Sequence, residues 1–303
     1  FLHTGAWLWR LLRTRDKWVQ HKKAPEEKMY ERFTRTHRLM HLTMLLSFFA
    51  LALTGMALKF SYMGWASVLS RILGGFAAMG LLHRIAAVVL ISLFAFHLSQ
   101  VRKGRMASGK GWLAYIFDKN SLMFNLTDIR QIFESIKWFF GRGPRPHYGR
   151  FTYWEKFDYF AVFWGVFVIG STGLVLWFPE FFTRLLPGWS VNVATIIHSD
   201  EALLAVAFIF TIHFFNTHFR PDKFPMDPVI FTGRVPVEEL RHDKPGEYDE
   251  LMASGSISEI EAKLKGAYPK RLEKAFKTFG FIALGTGLTL IALIVYAMLF
   301  GYR

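Results

Sequence analysis

Residues 79–101 read MGLLHRIAAVVLISLFAFHLSQV, and residues 193–218 read VATIIHSDEALLAVAFIFTIHFFNTH. Each run is apolar and long enough to cross a bilayer as a helix. Each carries two histidines, His83 with His97 and His198 with His213, spaced 14 and 15 residues apart. On an α-helix this is about 21–22 Å of rise and a return to nearly the same face, off by roughly 40° and 60°. An ionisable residue inside a membrane span is costly and marks function by default. Taken singly, each histidine could be a hydrogen-bonded core residue. Matched on two neighbouring helices, the four present opposed imidazoles at two depths, the ligand set of two stacked, six-coordinate b-type haems.

The rest of the chain supports a membrane reading. It has 303 residues, 52% of them hydrophobic, with 32 Phe and 10 Trp. Five stretches are expected to span the bilayer: 39–60, 79–101, 158–178, 193–218 and 276–300. The predicted class is therefore an all-α membrane protein, a four-helix haem-binding bundle at 39–219 with a fifth transmembrane helix in 276–303. Residues 1–38 form a basic cytoplasmic or interfacial segment, and 220–275 a small cytoplasmic cap. The cap is expected to hold short helical stretches such as Val237–Arg241 and Ile257–Leu264.

The net charge of +14 follows this topology, so it is not a nucleic-acid signal. Lys and Arg number 10 in residues 1–38, 11 in 102–156 and 11 in 219–277, against five elsewhere: Lys59, Arg71, Arg84, Arg184 and Arg303. The positive-inside rule places the first three segments in the cytoplasm and Arg303 outside, in a bacterial or archaeal cytoplasmic membrane. Cysteine is absent. That removes thiolate-bound iron–sulfur clusters and covalently attached c-type haem. The sequence starts at Phe1 rather than Met, and its first twelve residues read as an interfacial amphipathic helix or the tail of an upstream span. No small-residue cleavage site follows them, so a signal peptide is not expected.

Spans one to four look like a duplicated hairpin. Span one ends in Leu53-Thr54-Gly55-Met56-Ala57-Leu58 and span three in Ser171-Thr172-Gly173-Leu174-Val175-Leu176-Trp177. Each precedes a short outer loop and a helix with two histidines. Gly55, Gly165, Gly170 and Gly173 let backbones or a flat porphyrin approach, or simply pack helices. His83 and His198 share the outer depth, His97 and His213 the inner. The inner side also holds His41, His37 one turn before it, and His218 just past His213, more ligands than one haem uses, which leaves room for a third. His21, His147 and His242 fall in polar loops and read as solvated; His3 is ambiguous. Arg84, beside His83, could pair with a haem propionate. Asp200 and Glu201 read as outer-interface residues, or as partners for a ligand's second nitrogen.

These motifs resemble the membrane cytochrome b subunits of respiratory formate dehydrogenases and nickel–iron hydrogenases. The resemblance runs through His41-Leu-Thr-Met-Leu-Leu-Ser-Phe-Phe-Ala-Leu-Ala-Leu-Thr-Gly55, Leu82-His83-Arg84, Thr172-Gly173-Leu-Val-Leu-Trp177, Ile197-His198 and Ile212-His213-Phe214. It implies two b haems joining a periplasmic partner to a menaquinone site near the cytoplasmic haem. It implies His83 with His198 for the outer haem and His41 with His213 for the inner. The chain departs from the family in having His97, a fourth-helix spacing longer by one residue, a fifth span and larger cytoplasmic loops. The 14- and 15-residue spacings also resemble bc-type cytochrome b, which implies His97 with His213 instead. The inner pair stays open between them.

The family's quinone site includes the polar segment before helix three, here Phe151-Thr152-Tyr153-Trp154-Glu155-Lys156. Tyr153, Glu155, Lys156 and a spare inner histidine could supply donors and a proton route. Alternatively Glu155 and Lys156 cap and snorkel at a helix start. The expected function is electron transfer between menaquinone and a periplasmic redox subunit, such as a multihaem cytochrome c or a dehydrogenase. Two rivals are a transmembrane ferric or cytochrome reductase fed from the cytoplasm and a haem-free proton-coupled transporter. The first needs a dinucleotide fingerprint that is not found here. The second leaves the histidine register unexplained.

Overall fold

A computed structural model describes residues 2–14, 29–220, 223–224, 226–254, 264–265 and 269–301. In chain order the elements are α1 (Leu2–Thr14), β1 (Met29–Glu31), α2 (Arg35–Lys59), α3 (Gly64–Ile72), α4 (Phe76–Ser108), α5 (Trp112–Ile116), α6 (Leu126–Phe139), α7 (Tyr153–Trp177), α8 (Pro179–Phe182) and α9 (Trp189–Phe208). Two π-helical turns follow, Ile209–His213 and Phe215–Phe219. Then come α10 (Val229–Thr232), β2 (Arg234–Pro236), α11 (Val237–Asp243), α12 (Pro245–Ser254), β3 (Leu264–Lys265) and α13 (Lys270–Phe300).

Five helical segments are long and apolar enough to cross a membrane: Arg35–Lys59, Phe76–Ser108, Tyr153–Trp177, Trp189–Phe219 and Lys270–Phe300. They match the five expected spans but run several residues further, mostly at the basic ends. Lys and Arg stems can extend a helix past the hydrocarbon edge while their charges reach water. All of the spans leave large apolar side chains exposed, as helices solvated by lipid must.

The chain forms two compact units. One comprises residues 40–103, 161–211 and 282–303. Its small core packs Ala57, Ala66 and Met79 against Met63, Trp65, Leu69 and Leu73. The reversal from α3 into α4 uses Gly74 and Gly75, at φ 90° and 96°, which side-chain-bearing residues rarely adopt. Lys59 at the end of α2 pairs with Asp200 at 2.8 Å. Asp200 thus has a lysine as its ion-pair partner. Arg84 lies over the Trp177 ring at 5.5 Å.

The other unit comprises residues 1–39, 104–160 and 212–281. One of its cores joins Trp7, Phe139, Tyr148, Tyr153, Trp154 and Phe215. A three-stranded antiparallel sheet, order β2-β1-β3, pairs Tyr30 with Val235 on one side and Leu264 on the other. Strands this short leave no alternation to read in sequence, and the sheet was not expected. Beside it Tyr30, Val229, Val235 and Leu240 form a second core. Gly233, at φ 76°, ends α10 against the Phe33 carbonyl, where a Cβ would collide. The helical stretch expected at Val237–Arg241 is α11; most of the one at Ile257–Leu264 lies outside the described residues, and Leu264 itself is in β3.

Candidate haem site

In the first unit α4 carries His83 and His97, and α9 carries His198. The rings of His83 and His198 lie side by side, edge to face, with centroids 6.2 Å apart and planes at 70°. A metal holds an imidazole nitrogen at about 2.0 Å, and the ring centre lies about 1.1 Å behind that nitrogen, so two rings sharing one ion sit about 6.2 Å apart. The separation therefore fits a single iron between them.

Both rings are oriented through Nδ1. His198 Nδ1 lies 2.9 Å from the Ile169 carbonyl and 3.4 Å from Thr172 Oγ1. A carbonyl only accepts, so Nδ1 carries the proton and Nε2 the lone pair. His83 Nδ1 lies 2.9 Å from Thr54 Oγ1, and the Leu51 carbonyl also engages the ring. Thr54 Oγ1 donates to the Ala50 carbonyl at 2.6 Å, so its lone pair is turned to His83. Thr172 likewise donates to Val168, at 2.7 Å. The two halves thus repeat one device: a carbonyl, a threonine three residues on, then a glycine. Among the described residues no hydrogen bond is made to Nε2 of either histidine. A ligating nitrogen left open while its partner is held is what an axial ligand needs.

The glycines complete the device. A Cβ at Gly55 would stand 3.2 Å from His83 Cε1, and one at Gly173 would stand 3.0 Å from His198 Cε1. Gly170 has nothing within 4 Å, and Gly165 meets only Ile169, at 3.8 Å. Of the four glycines singled out by sequence, two lie against the rings and two have room. Gly173→Ala is therefore expected to displace His198 and lower haem retention or shift the potential of one haem. Gly170→Ala should leave both unchanged. Redox titration of the two purified variants checks this.

The second unit holds His213 in the first π turn and His218 in the second. His213 Nδ1 lies 2.9 Å from Asp158 Oδ2 on α7. A carboxylate only accepts, so this bond again protonates Nδ1 and leaves Nε2 the lone pair, as in carboxylate–histidine–metal triads. Sequence reasoning passed over Asp158, although a lone carboxylate between Phe157 and Tyr159 in an apolar span was a signal. It also read Gly55 and Gly173 without the threonines beside them. A π turn holds one residue more than an α turn. That is the excess of the 15-residue His198–His213 spacing over the 14-residue His83–His97 spacing. The expected straight helix is interrupted there, and Thr211 and Thr217 bond back to the Ala207 and His213 carbonyls, which loosens an α ladder.

His41 on α2 and His97 on α4 are half-buried and belong to the first unit. His37, on the second, is fixed by Thr34, whose Oγ1 lies 3.1 Å from His37 Nδ1. His218 Nδ1 and His3 Nε2 are buried without a hydrogen-bond partner among the described residues. His3 sits in an aromatic box of Trp7, Phe139, Tyr153 and Trp154. Burial, then the Arg220 charge, lowers it to about 4, so it is neutral at physiological pH. His147 pairs with Asp249 and His242 with Asp243 at exposed sites; His21 lies outside the described residues.

Tyr153, Glu155 and Lys156 come together with other polar groups of the second unit, but not as a loop before the helix. They lie in the first turn of α7, whose Glu155 carboxylate reaches back to Thr152. The Thr152 amide and hydroxyl both donate to Glu155 Oε2, at 2.7 and 2.9 Å. Glu155 also pairs with Lys244 and, at 3.9 Å, with Arg32. Glu247 joins this network through Arg32 and Arg150, at 3.3 and 2.8 Å. Burial lowers the Lys244 ammonium to about 8 against the pull of Glu155. Lys156 does not snorkel: it is 1% exposed and pairs with Asp128 at 2.9 Å. The Tyr153 hydroxyl bonds with Ser135.

No curated protein matches the chain by sequence. The sequence profile described as prokaryotic cytochrome b561 matches residues 32–220, which contain α2, α4, α7, α9 and every histidine of the paired sets. With well over half of its length matched, and a haem-spacing His pair inside that match, the chain belongs to the prokaryotic cytochrome b561 family.

Proposed function

We propose that this protein carries electrons between a menaquinone site near the cytoplasmic face and a redox subunit at the periplasmic face, using two b-type haems. The coarser part, electron transfer across a membrane through b-type haem, follows from the family. A b-type haem held by two imidazoles supplies one-electron exchange without an open coordination site. The observation that carries the reading is the opposed pair His83 and His198, each set by its own carbonyl–threonine–glycine device. His83 and His198 are assigned to the outer haem. His213, oriented by Asp158, is assigned to the inner haem with His41 or His97 opposite. His37 and His218 are the spare ligands should a third haem be held. The N-terminus is placed inside and the C-terminus outside, on the distribution of Lys and Arg.

The quinone is assigned to the polar start of α7, near Tyr153, Glu155 and Lys156. A quinone carbonyl needs a hydrogen-bond donor, and its turnover needs a proton route. The second unit offers the Tyr153 hydroxyl, the buried nitrogens of His218 and His3, and the Glu155–Lys244 network. Choice of variant matters. Removing one partner of a buried ion pair costs about 3–5 kcal/mol. Lys156→Met alone would strand the Asp128 carboxylate, so it is paired with Asp128→Asn. The double variants Glu155→Gln/Lys244→Gln and Asp128→Asn/Lys156→Met are expected to slow haem reduction by menaquinol analogues at unchanged haem content. Unchanged quinol kinetics in both, or a quinone found beside His83 and His198, would overturn the assignment.

A further inference from the structure

The helix α6 has three faces. Asp128, Gln131, Ser135 and Phe139 are buried. Leu126, Ile129, Phe133, Ile136 and Phe140, the last just past its end, are exposed; Leu126 is 83% and Phe133 61% exposed. At 100° per residue these five fall within an arc of about 80°. Immediately beside them on the exposed side stand Lys137 and Arg130, the latter paired with Glu134 at 2.7 Å. The stripe is continued by α1, which packs on α6: Trp9 meets Phe140 at 5.4 Å, and Leu8 and Leu12 are exposed beside it. Arg13 lies over the Trp9 ring at 5.0 Å.

We propose that α1 and α6 form a platform lying in the headgroup region of an anionic lipid leaflet. The apolar stripe enters the acyl-chain boundary, and Arg13 and Lys137 meet lipid phosphates, with the Arg130–Glu134 pair beside them. A narrow apolar stripe bordered by cations, with tryptophan at its edge, is the pattern of interfacial helices. Exposed Leu, Ile and Phe side chains gain free energy when an apolar environment takes them out of water. In a chain with five membrane spans, lipid is always present to cover it. The flanking cations complement anionic headgroups, whereas two copies packed face to face would set like charges against each other. α1 lies outside the residues that the family profile matches.

The absence of cysteine makes the test direct. Single cysteines placed at Ile129, Phe133 and Thr127 in the full-length protein are spin-labelled in nanodiscs of phosphatidylcholine and phosphatidylglycerol. Accessibility to oxygen and to a water-soluble nickel chelate is then measured. Labels at 129 and 133 are expected to favour oxygen several-fold over the label at 127. Omitting phosphatidylglycerol, or introducing R130E with K137E, should move label 133 toward water. Nickel accessibility at 129 and 133 equal to that at 127 would overturn the proposal. Shielding from both reagents would also overturn it, since it would mean that protein covers the stripe.

Discussion

Replacing His83 or His198 with alanine should remove one b-type haem and one of two redox transitions while leaving the other. The two rings stand 6.2 Å apart, the distance expected of imidazoles sharing one iron. Each is held through Nδ1, which leaves Nε2 of each ring for a metal. With alanine at either position a bound haem would keep one histidine ligand of the two, and a b-type haem has no covalent tether to retain it. Haem-to-protein ratio and redox titration of His83→Ala and His198→Ala check this. A His198→Ala protein with full haem content and both transitions would remove the outer site from the account.

The second large effect separates the two inner ligand sets. If His41 is the partner of His213, His41→Ala loses the inner haem and His97→Ala keeps it. If His97 is the partner, the outcome reverses. Loss of a different haem in each variant would mean three haems. Asp158→Asn adds an orientation test. The amide oxygen can still accept from Nδ1–H, but the charge that raises the ligand's basicity is gone. The inner haem should therefore stay bound and its midpoint potential should rise. A structural role for Asp158 alone would change stability and not potential.

Much of this protein can be read from hydropathy and histidine spacing, because spans must be long and apolar and intramembrane histidines are rare. What the sequence leaves out is rotation. A period of 3.6 residues says that Thr54 and Gly55 are neighbours. It does not say that they face His83, 29 residues away in sequence. The same holds for Asp158 and His213, which are 55 residues apart. Lys156 looked like a snorkelling residue because its partner, Asp128, lies on a separate helix. The sheet was invisible for a different reason. Its three strands hold eight residues in all, and pairing between Tyr30, Val235 and Leu264 depends on chain closure rather than local pattern.

The most direct measurement is the haem content of the purified protein, read from its oxidised and dithionite-reduced spectra against protein concentration. The account predicts b-type spectra with two haems per chain, or three if the spare inner histidines also ligate. A ratio near zero, or a single haem per chain, would contradict it.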